Sequence, residues 1–317
     1  MLLDGGVLAL LLGWGVTTLA LLRAVAAVLP VLLGRFDPDD ASPQQIERER
    51  GLDLTASIVA LAAVAGLGLA AITLGVLAGL HKVISGAMCL EGALDATPYG
   101  WPLFWVDLAF TLLAVMWLSL DRVVRERPGF PLVRGLAWGT VALTALAVSA
   151  VVVGGLHFAG ITPDVITTCC SASFGSVGGQ GESLWWMAPW APRWGVTLAA
   201  LTTLLLAGPR SAVGAVVVVP LWAISALGGV VGDFTPLYYG TPAHHCPFDV
   251  LVEGRGWWGW PLWISWWAVV LATAYQGVRS WGLWRLGEGA GWSRSGRWLV
   301  LGLLGLFHLI ALHPWFT

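Results

Sequence analysis

The stretch TASIVALAAVAGLGLAAITLGVLAGL, residues 55–80, carries no charged side chain from end to end. As a helix it is longer than the roughly 30 Å of hydrocarbon in a bilayer. Residues 136–160 form a second stretch without Asp, Glu, Lys or Arg. Over the whole chain 57% of residues are hydrophobic and 11% are charged, whereas soluble domains average about 25% charged residues. The sequence therefore predicts an all-α integral membrane protein.

Apolar segments recur along the chain and predict about eight transmembrane helices in a single polytopic domain, residues 1–317. The predicted helices cover residues 6–33, 54–80, 102–120, 135–160, 188–207, 212–231, 260–278 and 298–316. Residues 161–187 are expected to form an extracytoplasmic loop. The polar connection from Arg35 to Asp53 is expected to be a solvated loop with a short amphipathic helix around Gln44–Arg50.

Positive charge alternates between successive loops. One set of loops holds twelve of the sixteen Lys and Arg residues: Arg35, Arg48, Arg50, Arg122, Arg125, Arg127, Arg134, Arg210, Arg279, Arg285, Arg294 and Arg297. Because cytoplasmic loops are enriched in Lys and Arg, these loops are expected in the cytoplasm and both termini outside it. We therefore expect a protein of a bacterial inner membrane, with its Arg-poor loops facing the periplasm or exterior.

The tetrapeptide Gly-Trp-Pro-Leu occurs at residues 100–103 and again at 259–262, each time at the start of a predicted helix. A cysteine precedes each copy, Cys89 the first and Cys246 the second. The recurrence predicts a parallel 4+4 repeat, and parallel repeats place a shared site near the axis between the halves. In this arrangement the two cysteines occupy equivalent, facing positions. The corresponding halves are residues 1–160 and 188–317.

Soft side chains gather in the Arg-poor loops, in the segments MCLE (88–91), TCCS (168–171) and HHCPFD (244–249). Thiolate, thioether and imidazole groups favour Cu(I) or Zn(II) over hard cations. We therefore expect a copper or zinc site built from two or three loops, with Met88 as an additional ligand. The predicted metal ligands are Cys89, Cys169, Cys170, His244, His245 and Cys246.

The cysteines also allow two other interpretations. Structural disulfides persist in oxidising compartments, so a Cys89–Cys246 disulfide and a pairing that involves Cys169 or Cys170 could staple the loops. Alternatively, the segment CPFD (246–249) resembles a redox C-x-x-C motif with Asp in place of the second cysteine, so thiol–disulfide exchange would have to recruit Cys89 or the vicinal pair. The general plan is similar to that of disulfide-forming quinone reductases and vitamin K epoxide reductases. That similarity covers the architecture alone, because the membrane-edge C-x-x-C pairs of those families are absent here.

Asp107, His157 and His308 are predicted within the helices or near their ends. Ionisable side chains inside a span are costly and mark functional positions, which makes these three residues candidates for cofactor binding. Two histidines at matching depth would hold a b-type haem. Since His157 is predicted near the outer surface and His308 near the bilayer midplane, haem is a weaker expectation than copper or zinc.

The expected function is the binding or handling of a soft metal ion, as an accessory to a transporter or to assembly of a metalloenzyme. The alternatives are a thiol–disulfide redox protein, a haem-bearing electron carrier and a structural subunit of a larger complex. The expected partners are the lipid bilayer, other membrane subunits and a metal or redox partner on the extracytoplasmic side. The sequence has no P-loop, G-x-S-x-G or H-E-x-x-H motif and no basic stripe, so ATPase, hydrolase and nucleic-acid functions are not supported. No catalytic residue is assigned.

Overall fold

The computed structural model describes residues 4–37, 40, 42–162, 167, 211–240, 246–252, 258–289 and 291–312. These residues are overwhelmingly helical, and no β-strand occurs among them, which confirms the all-α prediction for this part of the chain. The α-helices are α1 (Gly5–Leu32), α2 (Pro43–Gly79), α3 (Leu90–Asp95), α4 (Gly100–Arg125), α5 (Val133–Gly160), α6 (Ser211–Gly229), α7 (Thr235–Tyr239), α8 (Gly259–Arg285) and α9 (Arg294–Ala311). A π-helical turn, Val230–Phe234, joins α6 to α7, and 3₁₀ turns occupy Leu80–Lys82 and Asp249–Leu251.

Among the described residues, five helical stretches are long and apolar enough to cross a membrane: Gly5–Leu32, Pro43–Lys82, Gly100–Arg125, Val133–Gly160 and Val218–Tyr239. They support a membrane protein, as the composition predicts. Membrane crossing by α8 and α9 stays a prediction, as do the total of eight spans, the repeat and the orientation. The predicted helix at 188–207 and the loop at 161–187 lie largely or wholly outside the described residues.

Helix α2 begins eleven residues before the predicted start at residue 54. The hydroxyl of Ser42 accepts a hydrogen bond from the backbone N–H of Gln45 at 3.3 Å, which caps the helix. Pro43 occupies the first helical position, where a missing N–H costs nothing. The following Gln, Glu and Arg residues are good helix formers. The expected amphipathic helix at Gln44–Arg50 is therefore the first part of α2, continuous with the apolar span.

The chain packs as two compact units. Unit 1 comprises Met1–Leu77, Leu94–Thr162 and Gly282–Glu288, and unit 2 comprises Ala78–Ala93, Pro163–Trp281 and Gly289–Thr317. The short segment Ala78–Ala93 carries Cys89 and belongs to unit 2, although the chain on both sides of it belongs to unit 1. Cys89 therefore belongs to the same unit as Cys246.

The core of unit 1 is built from helices with one buried face. In α1 the buried residues are spaced three and four apart, which is the period of a helix face packed against its neighbours. Trp14 of α1 meets Phe110 of α4 edge-on, with ring centroids 5.0 Å apart. Gly66 of α2 makes room for that ring, because a Cβ there would lie 2.2 Å from Phe110 Cε1. The buried residues of α1 are Val7, Leu10, Trp14, Thr17, Thr18, Leu21, Ala24, Val28 and Val31, in which Thr17 and Thr18 are the one adjacent pair.

In unit 2, aromatic residues join α6 to α9 and α8 to α6. Trp222 of α6 is fully buried and meets Phe307 of α9 with ring centroids 5.3 Å apart. Trp266 of α8 donates its indole N–H to the carbonyl of Ala223 at 3.1 Å. Since an indole N–H in an apolar interior needs an acceptor, this hydrogen bond holds α8 against α6.

One ion pair within unit 1 joins segments that are far apart in the sequence. Arg127, just after α4, donates from Nε to Glu288 Oε1 at 2.6 Å and from a second nitrogen to Oε2. This forked hydrogen bonding lowers the pKa of Glu288 below its usual value and raises that of Arg127. A carboxyl whose pKa is depressed by folding stabilises the fold above its unfolded pKa, and that contribution is lost as the pH falls through the folded value.

We therefore expect Glu288→Gln to lower the unfolding temperature in detergent modestly at neutral pH. The difference from the unsubstituted chain should shrink as the pH falls below the ordinary carboxyl range. The matched control is Arg122→Gln, because the pair of Arg122 with Glu126 spans a single helical turn. An equal loss in both variants at every pH would show that the long-range pair adds nothing.

Candidate metal centre

Two cysteines and a glutamate converge in the interior of unit 2. The Sγ atoms of Cys89 and Cys246 lie 3.4 Å apart, and Cys246 Sγ lies 3.9 Å from Glu91 Oε2. One ligand atom from each of the three residues lies within 4.8 Å of the other two. Relative exposures are 0%, 1% and 1% for Cys89, Glu91 and Cys246. The cluster is therefore shielded from solvent and assembled from segments more than 150 residues apart.

The first two of these side chains come from α3 and from the residue that precedes it. Cys89 directly precedes α3, and its carbonyl accepts from the backbone N–H of Ala93 at 3.4 Å. Glu91 lies in the first turn of the helix. A carboxylate in a first turn is favoured by the partial positive charge of the helix N-terminus. The spacing of two residues sends a thiol and a carboxyl from one short segment into the same cluster.

Cys246 is held by aromatic contacts with α8. The indole N–H of Trp263 donates to the carbonyl of Pro247 at 3.0 Å. The ring of Phe248 stacks on that of Trp263, with centroids 5.7 Å apart and planes 11° from parallel. These contacts fix the two residues that follow Cys246, and the 3₁₀ turn Asp249–Leu251 then leads toward α8.

Both copies of Gly-Trp-Pro-Leu start a helix at a tight backbone contact. A Cβ on Gly259 would lie 1.9 Å from the carbonyl oxygen of Val250, and a Cβ on Gly100 would lie 2.1 Å from that of Leu94. Each contacted carbonyl belongs to the short helical turn that follows a cluster cysteine. The two segments thus share a local design: a cysteine, a helical turn and a glycine packed on that turn.

The chain next to Cys89 is also closely packed. Thr167 donates its backbone N–H to the carbonyl of Ser85 at 3.1 Å. A Cβ on Gly86, which has a φ of +85°, would lie 2.3 Å from the carbonyl oxygen of Thr167. This contact requires glycine on both steric and conformational grounds. It holds the segment that precedes Cys89 against Thr167, which lies two residues before Cys169 in the sequence.

The cysteines of the cluster are not joined by a disulfide. Their sulfur separation of 3.4 Å exceeds the disulfide bond length of about 2.05 Å. The sulfurs are therefore in contact without being bonded, and the structure holds no disulfide between Cys89 and Cys246. The remaining predicted ligands, Cys169, Cys170, His244 and His245, lie outside the described residues.

Two residues near Cys89 differ from the prediction: Met88 was expected in the site and lies outside it, whereas Glu91 was not expected and lies within it. Met88, the additional predicted ligand, is 58% exposed, whereas the cluster is buried. Glu91 was not among the predicted ligands, although it lies in the same segment as Cys89. Acidic residues beside a membrane surface are usually solvated, and the Cys-x-Glu spacing was the one signal that could have found this residue.

The three candidates for cofactor binding are divided between the units. In unit 1, His157 is fully buried and its Nδ1 lies 2.7 Å from Thr97 Oγ1. Asp107 is buried in unit 1 and hydrogen-bonds with Thr73. In unit 2, His308 Nδ1 lies 2.7 Å from the carbonyl oxygen of Leu304 one turn earlier, so Nδ1 carries the donated proton. Their role in cofactor binding, haem included, stays a prediction.

Unit 1 contains a separate cleft of about 660 Å³ near the C-terminal end of α4. Arg125 crosses it, donating from Nε to Asp121 at 2.7 Å and from its terminal nitrogens to Ser57 at 3.3 Å. The residues that line the cleft include none of the predicted metal ligands and none of the three candidates for cofactor binding. The cysteine cluster is therefore the candidate site that combines predicted residues with close geometry.

Comparison with known protein families, with curated proteins and with solved structures finds no match for this chain. The chemistry of the described residues is therefore the basis on which a function is proposed.

Proposed function

We propose that this chain is a membrane protein that binds a soft or borderline metal ion at Cys89, Glu91 and Cys246, with Zn(II) as the best match and Cu(I) as the second. The observation that carries the proposal is the convergence of three ligand atoms within 4.8 Å of one another. Two thiols favour Cu(I) and Zn(II), and an added carboxylate favours zinc, which accepts S, N and O ligands.

The spacing of the cluster supports a site with three or four ligands. Zinc–sulfur bonds of about 2.3 Å at a tetrahedral angle place two sulfurs about 3.8 Å apart. The observed separation is 3.4 Å, so the sulfurs need to move apart by only a few tenths of an ångström. A linear two-sulfur site would require roughly twice the bond length, about 4.6 Å. The geometry therefore favours zinc over linear two-coordinate copper.

A complete tetrahedral site needs one more ligand than the cluster offers. We propose that it comes from the other soft residues of the predicted site: His244 or His245, which immediately precede Cys246, or Cys169 or Cys170. An imidazole would complete a Cys₂GluHis set and a third thiolate a Cys₃Glu set, and both suit zinc. Because the cluster is buried, the ion would be retained between exchange events. Retention fits an accessory that stores an ion or passes it to a transporter or a metalloenzyme.

The test is the metal content of the full-length protein purified in detergent after growth with added zinc or copper. We expect about one zinc ion per chain, and a loss of nearly all of it in Cys89→Ser and Cys246→Ser. Affinity should fall about 100-fold or more, because changes beyond the direct ligands already cost about 10- to 100-fold. Glu91→Gln should weaken binding less than either cysteine variant, since it leaves both sulfurs in place.

Met88→Leu is the matched control, because it alters the exposed neighbour of Cys89 and should retain the metal. Equal metal content in the unsubstituted chain and in a Cys89→Ser/Cys246→Ser variant of normal thermal stability would defeat the proposal. Copper in place of zinc at the same residues would correct the identity of the ion. Replacing Cys169, Cys170, His244 and His245 one at a time would identify the fourth ligand.

The sulfur contact also supports a second candidate function, thiol–disulfide exchange between Cys89 and Cys246. Oxidation would join the two sulfurs and release two protons and two electrons to an acceptor, such as a quinone or the disulfide of a partner. The sulfurs would have to approach by about 1.4 Å to reach bonding distance. This function predicts a thiol pair whose alkylation responds to quinone in protein that holds no metal.

A further inference from the structure

We propose that Asp107 is a proton-binding site in the interior of unit 1, whose carboxyl is held in the neutral form and donates a hydrogen bond to Thr73. Carboxyl groups that exchange protons within a membrane serve as proton relays in pumps and transporters. Asp107 belongs to unit 1 and the cysteine cluster to unit 2, so the test of proton binding does not depend on whether the cluster binds metal.

Asp107 is buried within the helices of unit 1. The residue lies seven positions into α4, within a stretch that can cross a membrane. It is 8% exposed, and its Oδ1 is buried without a hydrogen-bond partner among the residues that the structure describes. Thr73 of α2 lies within hydrogen-bonding reach of the carboxyl, and Trp14 of α1 in turn contacts Thr73 through its indole nitrogen at 3.4 Å. Three helices of unit 1 therefore meet at this group.

A count of hydrogen-bond donors favours the neutral carboxyl. The single hydroxyl proton of Thr73 is directed at the carbonyl of Leu69, 2.9 Å away. The indole N–H of Trp14 is directed at Thr73 Oγ1. Neither donor is left for an ionised Asp107, which can only accept. A protonated Asp107 instead donates to the second lone pair of Thr73 Oγ1, and every donor in the group then has an acceptor.

The absence of a counter-ion points the same way. Within the described residues, Asp107 forms no ion pair with any cationic side chain. Asp121 lies fourteen residues later on the same helix and is equally buried, but it pairs with Arg125 at 2.7 Å. An unpaired carboxylate in a membrane interior costs several kilocalories per mole. Binding a proton removes that cost, and Asp121 offers a comparison within the same helix.

The test uses dicyclohexylcarbodiimide, an apolar reagent that reacts with protonated carboxyl groups in membranes. The carboxyl oxygen adds to the central carbon, the proton passes to a nitrogen, and rearrangement leaves a stable acylurea without a leaving group. The full-length protein in lipid vesicles is treated at neutral pH, and modified peptides are quantified by mass spectrometry after peptic digestion. We expect Asp107 to be modified at least about tenfold faster than Asp121, a difference of about 1.4 kcal/mol in activation free energy.

The controls separate proton binding from mere accessibility and from binding of another cation. A water-soluble carbodiimide should modify Asp107 slowly, and Asp107→Asn should remove the modified peptide while keeping a donor for Thr73 and hence the fold. No modification of Asp107, or a rate equal to that of Asp121, would overturn the proposal without any variant being needed. Protection of Asp107 by sodium ions would also overturn it, because the bound ion would then be sodium.

Discussion

Replacing Gly259 with alanine is expected to prevent the accumulation of folded protein. The new methyl group would lie 1.9 Å from the carbonyl oxygen of Val250 and 2.5 Å from its carbonyl carbon. Because both atoms belong to the backbone, no side-chain rotation can relieve the clash. Val250 is itself buried in the turn Asp249–Leu251, so relief would have to displace the segment that carries Cys246.

The cost of this substitution is expected to be large relative to the stability of the protein. Overpacking a core costs about 1–3 kcal/mol when side chains can adjust, and more when they cannot. A loss of about 4 kcal/mol or more is a large part of the roughly 5–15 kcal/mol by which proteins are stable. Gly100→Ala should behave alike, since its Cβ would lie 2.1 Å from the carbonyl oxygen of Leu94.

The measurement is the yield of monodisperse protein in detergent, together with its unfolding temperature. Gly302→Ala in α9 and Gly155→Ala in α5 are matched controls, because a Cβ at either position meets nothing within 4 Å. Alanine should leave those helices as stable or more stable by up to about 1 kcal/mol, owing to its higher helix propensity. Normal yield and unfolding temperature for Gly259→Ala would mean that the approach to Val250 is not as close as described.

Most helices could be predicted from the sequence, because their apolar segments are long. The predicted helix at 135–160 and the observed α5, Val133–Gly160, differ by two residues at the start. The larger differences occur where polar helix formers extend an apolar core. Helix α2 starts at Pro43 and α4 continues to Arg125, since Glu, Gln and Arg favour helix as strongly as many apolar residues. A hydrophobic pattern predicts the apolar part of a helix. The ends of the helix depend on backbone hydrogen bonding, which polar helix formers can extend beyond that part.

The site could be predicted only in part. The repeated Gly-Trp-Pro-Leu led to the expectation that Cys89 and Cys246 face one another, and the two sulfurs are in contact. Glu91 was missed because its burial depends on packing in unit 2 between segments far apart in the sequence. The Cys-x-Glu spacing alone does not specify that Glu91 is buried beside Cys89. For the same reason, the sequence could not show that Asp107 meets Thr73 and Trp14.

Oxidation of the Cys89–Cys246 pair is expected to abolish metal binding, and bound metal is expected to prevent the oxidation. The sulfurs are 3.4 Å apart, so a modest approach brings them to disulfide bonding distance. A disulfide sulfur has lost the thiolate that zinc requires. Conversely, a bound ion engages both sulfurs and holds them about 3.8 Å apart. The two states of the pair are therefore mutually exclusive.

The experiment uses the full chain with Cys169 and Cys170 replaced by serine, which leaves the cluster cysteines as the only thiols. After metal removal by a chelator, diamide should join Cys89 to Cys246, with two protons and two electrons passing to its N=N bond. Zinc binding should then fall from about one ion per chain to nearly none, and dithiothreitol should restore it. If the serine background itself loses zinc, Cys169 or Cys170 is a ligand, and each is then restored singly.

Three outcomes distinguish the functions that this pair could serve. Slow disulfide formation in zinc-loaded protein and fast formation after chelation support a metal site. Fast formation with quinone, in protein that binds neither zinc nor copper, supports thiol–disulfide exchange. Retention of a full complement of zinc by the disulfide form would contradict both sulfurs acting as ligands. Cys246→Ser is the control in every arm, because it removes the cross-link and leaves Cys89 in place.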